Sequence, residues 1–371
     1  MHPYLNQQTQ SIRQISDLRF GIPIIIGNDG ENALVFSIET LTTSNFEKIE
    51  QNFSEPGYES YISITKNRAN LLKIRVYEED IVRIKMPREI SLDWIKATAD
   101  PALDLDYPMK GPYESYRNGN ADIARIGIKF CKEAELLPAV LVLPITENRT
   151  RELMNEGLLY QNMSESVISK ASNWEATLIS SGFIPISNQL SSKVSVFRHP
   201  FSLSEHYAIE IGTLNYTQPI LTRIHSACFT GDILHSLKCD CGDQLTESIA
   251  QIKKAGNGII LYLNQEGRGI GLANKMRAYK LQDSGLDTFD ANHQLGFEDD
   301  ERDLSVGAKI LTRLGVRKIN LLTNNPSKIS NMENHGIKVV RRIPLVTKIT
   351  TENKEYLKAK KEKSGHILFQ N

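Results

Sequence analysis

Apolar residues follow two different spacings along the chain, and the two spacings alternate. Residues 12–20 and 123–137 carry apolar side chains at helical spacing, whereas residues 24–26 and 139–143 form short, continuously apolar runs. Helical spacing gives a helix one apolar face, and a short apolar run bounded by turn residues is typical of a buried strand. Helices that alternate with buried strands predict an α/β fold.

The composition changes at residues 164–195, which are rich in Ser and Asn. We place a domain boundary in that stretch and expect two α/β domains, 1–184 and 185–371, because 371 residues suffice for two cores. The second domain is expected to be a mixed sheet with helices. Further strands are predicted at 33–38, 61–65, 71–74, 207–211, 219–224, 258–263 and 319–322, and further helices at 272–282 and near 174–179, the latter before turns at Gly182 and Pro185.

The charge balance and the cysteine count narrow the class of protein. Lys plus Arg and Asp plus Glu each total 44, so the zero net charge gives no electrostatic case for binding nucleic acid or an acidic membrane. Residues 1–10 are polar, and no run reaches the roughly 18 apolar residues of a membrane span. Three of the four cysteines are clustered, which fits a reducing compartment, and Cys131 lies on an apolar helix face as a small hydrophobe. We therefore expect a cytoplasmic protein with no membrane or nucleic-acid partner.

The clustered cysteines have a spacing typical of a metal site. Cys228, Cys239 and Cys241 form a C-x10-C-x-C pattern, and three thiolates leave one position of a tetrahedral zinc ion open for water, as in catalytic sites. The pattern predicts one Zn²⁺ per chain. Two alternatives stay open: a closed structural site completed by His225 or His235, and three buried thiols without metal.

Two strand ends in the second half carry residues suited to phosphate. The predicted strand 258–263 runs into a loop with Gly267 and Arg268, followed by the helix 272–282. Backbone N–H groups at a helix start and a forked guanidinium both match phosphate oxygens. After the strand 319–322 comes a second loop with hydroxyl, amide and ammonium donors. Because ligands of α/β sheets gather at strand ends, we expect both loops to bind phosphate.

These segments, in this order, resemble the GTP cyclohydrolase II family from about residue 200 to the end. The resemblance rests on Arg-Ile-His-Ser (223–226), the cysteine pattern with Cys-Asp-Cys-Gly (239–242), Gln-Glu-Gly-Arg (265–268), Arg-Ala-Tyr (277–279), Asn-His-Gln-Leu-Gly-Phe (292–297), Asp-Glu-Arg (300–302) and Leu-Thr-Asn-Asn-Pro (322–326). The family opens the imidazole ring of GTP and releases formate and pyrophosphate, at the start of riboflavin synthesis.

The resemblance also implies roles for single residues. Zinc on the three cysteines would activate water for attack on C8 of the guanine. Asp300 would be the proton acceptor, Tyr279 would help to complete deformylation, and Arg302 would either attack the α-phosphorus or, as a poor nucleophile, stabilise charge there. Glu266 would line the GTP pocket or pair with the guanine edge. The expected GTP contacts, with Mg²⁺ bridging phosphate oxygens, are Arg223, His225, Ser226, Gln244, Glu266, Gly267, Arg268, Thr288, Thr323 and Lys328. A homodimer is the expected assembly.

One residue departs from the family pattern. Ala227 stands where the family has a carboxylate directly before its first cysteine, so one acceptor near the substrate is missing. This leaves open a paralogue that stops at a formamido product or serves nucleobase breakdown, although Tyr279 argues against it. A non-catalytic zinc-binding or nucleotide-binding regulatory protein would keep the cysteines but would not need Asp300 and Arg302.

Residues 62–142 resemble the 3,4-dihydroxy-2-butanone 4-phosphate synthase domain, which often precedes this family in one fused chain. That domain holds Mg²⁺ with an acidic loop after its first strand and has a later His-Thr-Glu segment. Here the loop 27–32 contains two acids, Asp29 and Glu31, and the later position reads Gly-Asn-Ala-Asp (119–122). We therefore expect residues 1–184 to lack synthase activity and to support or pair the cyclohydrolase half.

Overall fold

The computed structural model describes residues 7–28, 30–52, 59–87, 90–165, 174–186, 191–199, 202 and 204–345; Asp29 of the acidic loop and residues 1–6 lie outside this part. The chain forms two compact units, each built on one mixed β-sheet, which confirms the expected α/β class. The first unit comprises Met1–Ser172, Ala273–Leu286 and Asp290–Asp300. The second comprises Asn173–Leu272, Asp287–Phe289 and Glu301–Asn371.

The first unit contains a sheet with the strand order β4-β3-β5-β2-β1-β6. The β6 strand pairs in parallel with β1, and the pairs from β4 to β1 are antiparallel. In chain order the elements are α1 (Gln7–Arg19), β1 (Ile24–Asn28), β2 (Glu31–Ser37), α2 (Thr43–Asn52), β3 (Tyr61–Thr65), α3 (Lys66–Leu71), β4 (Ile81–Lys85), α4 (Leu92–Ala99), α5 (Asp122–Glu133), β5 (Ala139–Ile145), α6 (Glu147–Asn155) and β6 (Tyr160–Asn162).

Both faces of this sheet are buried, which explains the continuously apolar runs of β1 and β5. Ile25 belongs to the core on one face, and its neighbour Ile24 belongs to the core on the other. Helix α5 covers the second face, where a Cβ atom on Gly127 would lie only 2.8 Å from the Val35 side chain. Cys131 of α5 is fully buried there, so the prediction of a small buried hydrophobe is confirmed.

The second unit contains a sheet with the strand order β13-β12-β10-β11-β9-β8-β7. The neighbouring strands from β13 to β11 are parallel, and those from β11 to β7 are antiparallel. The elements of the second half are β7 (Thr177–Phe183), β8 (Ser192–Arg198), β9 (Glu205–Ile211), β10 (Ile220–Ser226), α7 (Cys241–Ala255), β11 (Gly258–Leu263), α8 (Gly271–Asp283), α9 (Thr288–Gln294), α10 (Ser305–Arg313), β12 (Lys318–Leu322), α11 (Pro326–Asn334) and β13 (Lys338–Ile343). The parallel strands β10, β11 and β12 therefore end at one edge of the sheet.

Most of the predicted elements are confirmed, but three predictions were wrong. Residues 71–74 are not a strand, because Leu71 ends α3, a helix whose start is capped by the Thr65 hydroxyl. Residues 174–179 are not helical, and Gly182 is not in a turn: both stretches contribute to β7, which pairs antiparallel with β8 along the sheet edge. Pairing with a neighbouring strand outweighed the local helical preference. Among the described residues, no helix is long and apolar enough to cross a membrane.

Candidate active site and metal centre

Three sulfur atoms converge in the second unit. The Sγ atoms of Cys228, Cys239 and Cys241 all lie within 4.8 Å of one another, and those of Cys228 and Cys239 are 3.8 Å apart. Cys228 follows β10 after one residue, and Cys241 is the first residue of α7. A Cβ atom on Gly231 would lie 2.8 Å from the Cys239 sulfur and 3.0 Å from the Cys228 sulfur, so only glycine fits at this position. The predicted cluster is therefore assembled by the fold and could hold a metal ion.

No histidine joins this group among the described residues. The Nε2 atom of His225 lies 3.0 Å from both carboxylate oxygens of Asp232 instead. Burial lowers the pKa of His225, so its ring is neutral at neutral pH and can donate Nε2–H to the carboxylate. The donor set thus favours the three-thiolate arrangement over a closed site completed by His225 or His235.

Asp232 is a site residue that the sequence reasoning missed. Its side chain is 4% exposed. Besides His225, it accepts hydrogen bonds from the backbone N–H of Cys228 and the hydroxyl of Tyr262, both at 3.0 Å. These bonds connect β10 and β11 to the segment that presents the first cysteine. The sequence feature that could have identified it is its place as an acid inside the ten-residue spacer between Cys228 and Cys239.

Arg223 is buried and connects β10 to its neighbours. Its guanidinium donates to the Leu322 carbonyl at 3.0 Å and to Gln244 Oε1 at 2.5 Å. The Gln244 amide in turn donates to Asp240 at 2.5 Å. Burial lowers the pKa of Arg223 to about 10, which still leaves the group charged at neutral pH. Arg223 Nε and His225 Nδ1 are buried without a hydrogen-bond partner in the described part of the chain.

Hydrogen bonds to the Glu266 carboxylate hold the glycine-rich loop after β11 in place. Glu266 accepts hydrogen bonds from the backbone N–H of Phe229 at 2.6 Å and of Gly267 at 3.0 Å. Gly267 and Arg268 both have positive φ angles, 61° and 63°. The positive φ of Arg268 is unusual for a residue with a side chain, and such strain is common at functional sites. The Arg268 guanidinium lies 4.7 Å from the centre of the Phe289 ring, next to Thr288 at the start of α9.

The same loop meets the segment that carries Arg302. A Cβ atom on Gly269 would lie 3.0 Å or less from the backbone of Glu301 and Arg302, so glycine is required there. The Glu301 N–H donates to the Arg268 carbonyl at 3.0 Å, and Arg302 donates to the Ser226 hydroxyl at 3.2 Å. Arg302 and Ser226, which are 76 residues apart in sequence, are thus brought together.

The loop after β12 is more buried than the sequence indicates. Asn325 caps α11 by accepting from Ser327 N–H at 2.9 Å. Thr323 is 1% exposed and accepts from the Asn325 N–H at 3.0 Å. Lys328 is also buried, and its Nζ donates to the Ile224 carbonyl at 2.8 Å.

The two remaining expected catalytic residues belong to the first unit. Tyr279 lies on α8, with the Lys275 ammonium 5.8 Å from the centre of its ring. Asp300 is the last residue of the segment Asp290–Asp300 and is exposed. The other expected site residues lie in the second unit.

The fold and the site define an α/β protein with a three-cysteine group, able to hold a metal ion, next to a glycine-rich strand-end loop. The family model described as GTP cyclohydrolase II matches residues 184–344. A GTP cyclohydrolase-2 of Azospirillum brasilense is 36% identical over 363 residues, 96% of this chain and 93% of the relative. A GTP cyclohydrolase-2 of Histophilus somni is 53% identical over 175 residues, 47% of this chain and 81% of the relative. The chain belongs to the GTP cyclohydrolase II family.

Two further similarities concern a riboflavin biosynthesis protein and a two-domain synthase. The riboflavin biosynthesis protein RibBA of Endomicrobium trichonymphae is 49% identical over 176 residues, 47% of this chain and 44% of that protein. A solved structure of RibBX, a two-domain 3,4-dihydroxy-2-butanone 4-phosphate synthase from A. baumannii, covers 91% of this chain and 99% of that chain. Its TM-score of 0.32 and identity of 15% carry no argument about this protein.

Proposed function

We propose that this protein hydrolyses GTP to 2,5-diamino-6-ribosylamino-4(3H)-pyrimidinone 5′-phosphate, formate and pyrophosphate, as the first step of riboflavin biosynthesis. The observation that carries the proposal is the convergence of the Cys228, Cys239 and Cys241 sulfur atoms within 4.8 Å. Relatives that align along nearly the whole chain are named for this activity, which supports it further.

The three cysteines fit a zinc ion. Three thiolates are a soft donor set that suits Zn²⁺, and three protein ligands rather than four are typical of a catalytic site. Bound there, Zn²⁺ would supply Lewis-acid activation of water for the attack on C8 of the guanine. The backbone N–H of Gly231 donates to the Cys228 sulfur at 3.3 Å, which keeps the segment between the ligands close to that sulfur.

The GTP contacts would come mainly from the second unit. Arg223 Nε and His225 Nδ1 are buried polar atoms with unused hydrogen-bonding capacity, and such atoms usually have a partner in the functional state. Arg268, held next to the glycine-rich backbone, would bind phosphate oxygens with its forked donors, and Mg²⁺ would offset the negative charge of the phosphates. Ser226, Gln244, Glu266, Gly267, Thr288, Thr323 and Lys328 complete the proposed substrate set.

Glu266 and Lys328 would act on GTP indirectly, because both side chains already bind backbone groups of the protein. The Glu266 carboxylate already binds two backbone N–H groups, and the Lys328 ammonium already binds a backbone carbonyl. Glu266 would therefore shape the glycine loop. Lys328 would contribute positive charge from a buried position, where a low local dielectric strengthens its effect on phosphate.

Three residues would act in the chemical steps. Asp300 would accept a proton, and Tyr279 would help to remove the formyl group. Arg302 would stabilise negative charge on the transferring phosphoryl group, because a guanidinium stays protonated and is a poor nucleophile. The hydrogen bond from Arg302 to Ser226 supports this role, since it directs the guanidinium to the end of β10. Residues 1–184 would have no synthase activity, and the protein would act as a cytoplasmic homodimer.

Incubating the purified full-length chain with GTP, Zn²⁺ and Mg²⁺ tests the proposal. We expect mass spectrometry to detect the diaminopyrimidinone phosphate, with formate and pyrophosphate in equal amounts. A formamido product as the end point would indicate the paralogue that stops early. No consumption of GTP by the zinc-loaded chain would overturn the proposal and favour a regulatory nucleotide-binding protein. Sedimentation of the same sample tests the dimer.

A further inference from the structure

Within the first unit, helix α8 is anchored by one arginine. Arg277 donates from Nε to Asp100 at 3.1 Å, and its Nη2 lies 3.1 Å from Glu39. Its Nη1 donates to Asn274 on the same helix at 2.7 Å. All three nitrogens of this guanidinium are thus engaged, and two of the three acceptors, Asp100 and Glu39, come from distant parts of the sequence. The contact with Asp100 spans 177 residues of sequence.

Two neighbours of Arg277 extend the anchor along one face of α8. Asn274 is fully buried and donates to the Glu135 carbonyl at 2.9 Å. Lys280 donates to the Ala102 carbonyl at 3.0 Å. Residues 274, 277 and 280 are three apart, so they lie on one side of the helix. Each of the three residues on this side donates to an acceptor in the N-terminal part of the chain.

The carboxylate acceptors are themselves held in place. Glu39 accepts the Leu137 N–H with its second oxygen at 2.7 Å. Asp100 accepts the Ala102 N–H with its second oxygen at 2.9 Å. The Glu39 and Asp100 side chains are each 17% exposed, and that of Arg277 is 23% exposed. Paired charges that are largely desolvated and fixed by further hydrogen bonds specify a geometry better than a solvent-exposed ion pair does.

The segment that ends at Asp300 is packed against the same N-terminal part. The Phe297 carbonyl accepts from the Asn67 amide at 3.3 Å. A Cβ atom on Gly296 would lie 2.6 Å from the Thr65 hydroxyl and 2.9 Å from Pro138, so the chain approaches as closely as glycine allows. This contact fixes the backbone a few residues before Asp300.

The geometry points to a positioning role of the N-terminal part of the chain, Met1–Ser172, in the cyclohydrolase reaction. Through Glu39 and Asp100 it would hold Arg277, and with it Tyr279 two residues later; through Thr65 and Asn67 it would hold the segment of Asp300. The inference rests on the proposed function, from which the roles of Tyr279 and Asp300 are taken. It gives a non-catalytic part of the chain a defined task, because catalytic groups displaced by about 1 Å can lose about a hundredfold in rate.

Glu39→Gln and Asp100→Asn in the full-length chain test this inference. We expect kcat for complete conversion of GTP to fall about tenfold or more in each variant, because both substitutions loosen α8. KM for GTP should stay within about twofold, because the proposed substrate contacts lie on other segments. The share of formamido product should rise, because Tyr279 would no longer complete deformylation. A partly unfolded sample would lower the rate but would not change the ratio of the two products.

Asp80→Asn is the matched control. Asp80 also accepts from an arginine, Arg125 on α5, at 2.9 Å, and neither residue belongs to the segments of Tyr279 and Asp300. This variant should keep the wild-type product ratio and kcat. If the carboxylate variants do not yield folded protein, Arg277→Lys decides the question, since it keeps the charge but cannot bind both acceptors as a planar fork.

Two results would count against different claims. If wild-type protein converts GTP and the folded Glu39→Gln, Asp100→Asn and Arg277→Lys variants match it in kcat and product ratio, the positioning role is wrong. If zinc-loaded wild-type protein does not consume GTP at all, the proposed function fails instead. There is then no cyclohydrolase reaction for which Tyr279 and Asp300 could be positioned, so the inference is wrong as well.

Discussion

The carboxylate of Asp232 binds the ring of His225 with both oxygens, each 3.0 Å from Nε2. The same carboxylate also holds the Cys228 backbone and the Tyr262 hydroxyl. Burial, with the nearby charge of Asp232, raises the pKa of Tyr262, so its hydroxyl stays protonated and donates. One buried acid thus organises a strand end, a tyrosine and the first cysteine of the candidate metal centre.

Replacing this acid should loosen the cysteine cluster. In Asp232→Ala three donors, including the Cys228 N–H, lose a buried acceptor, and each such loss costs about 1–3 kcal/mol. We expect urea unfolding to show a loss of about 3 kcal/mol or more, with reduced zinc per chain by elemental analysis. Asp243→Ala, at an exposed position in the first turn of α7, is the control. Equal stability and zinc content in the two variants would contradict the role of Asp232.

Cys239→Ser should remove both metal and turnover. A serine hydroxyl is a much weaker zinc ligand than a thiolate, and two remaining cysteines do not retain the ion. We expect about one zinc per chain in the wild type and close to none in the variant. Cys131→Ala, in the core of the first unit, should keep zinc and turnover at some cost in stability. Full metal content in Cys239→Ser would refute the assignment of this centre.

Asp300→Ala and Arg302→Ala should abolish product formation without unfolding the protein. Asp300 is exposed and Arg302 is partly exposed, so neither contributes much to a core. Circular dichroism and thermal unfolding should match the wild type, while product is absent by mass spectrometry. Glu298→Ala, two residues before Asp300 and also exposed, should keep its activity. Near-normal turnover in either test variant would show that the acidic stretch 298–301 and Arg302 form an ordinary solvated loop.

The second unit should lose stability in mild acid. Burial lowers the pKa values of both His199 and His206 to about 4, and His206 accepts the Asn264 N–H through Nδ1. In the unfolded chain a histidine has a pKa of about 6.5, so between these values the unfolded state binds more protons. The two histidines therefore leave the free energy of unfolding undiminished above about pH 6.5. Between about pH 6.5 and pH 4, each histidine lowers it by at most about 1.4 kcal/mol per pH unit.

His206→Gln removes one of these groups and should make that slope shallower. Urea unfolding between pH 7 and pH 4.5 measures the slope directly. The substitution His335→Gln, at an exposed position, should leave it unchanged. An unaltered slope in His206→Gln would mean that other groups govern the acid sensitivity.

The N-terminal part should not convert ribulose 5-phosphate. No histidine lies between His2 and His199, and the position of the missing His-Thr-Glu segment has a structural task instead. There Asn120 accepts from the Asp122 N–H, and Asp122 pairs with Arg125 at the start of α5. Without a placed base, proton transfers lose a contributor worth about a hundredfold or more.

The measurement is an incubation of the full chain with ribulose 5-phosphate and Mg²⁺, followed by mass spectrometry. We expect no formate or butanone phosphate above a control without enzyme. A known synthase added to the same mixture verifies the assay. Product from this chain alone would show that the N-terminal part still binds metal and substrate without the His-Thr-Glu segment.

Local patterns determined a large part of this protein. The apolar runs of β1, β5 and β11 predict buried strands because a strand covered on both faces needs apolar side chains at successive positions. The apolar stripe of α5 and the spacing of Cys228, Cys239 and Cys241 are likewise complete within short windows of sequence. Such windows specify an element or a donor set without knowledge of its neighbours.

Only the tertiary structure decided which distant polar groups meet. β7 exists as a strand because β8 supplies its hydrogen-bonding partner, although its local sequence favours a helix. The buried Lys328 donates to the Ile224 carbonyl, 104 residues away in sequence, and Arg277 donates to Asp100, 177 residues away. Hydrogen bonds and ion pairs between remote residues leave no periodic trace in the sequence, because their energy depends on burial and distance, which exist only after the chain has folded.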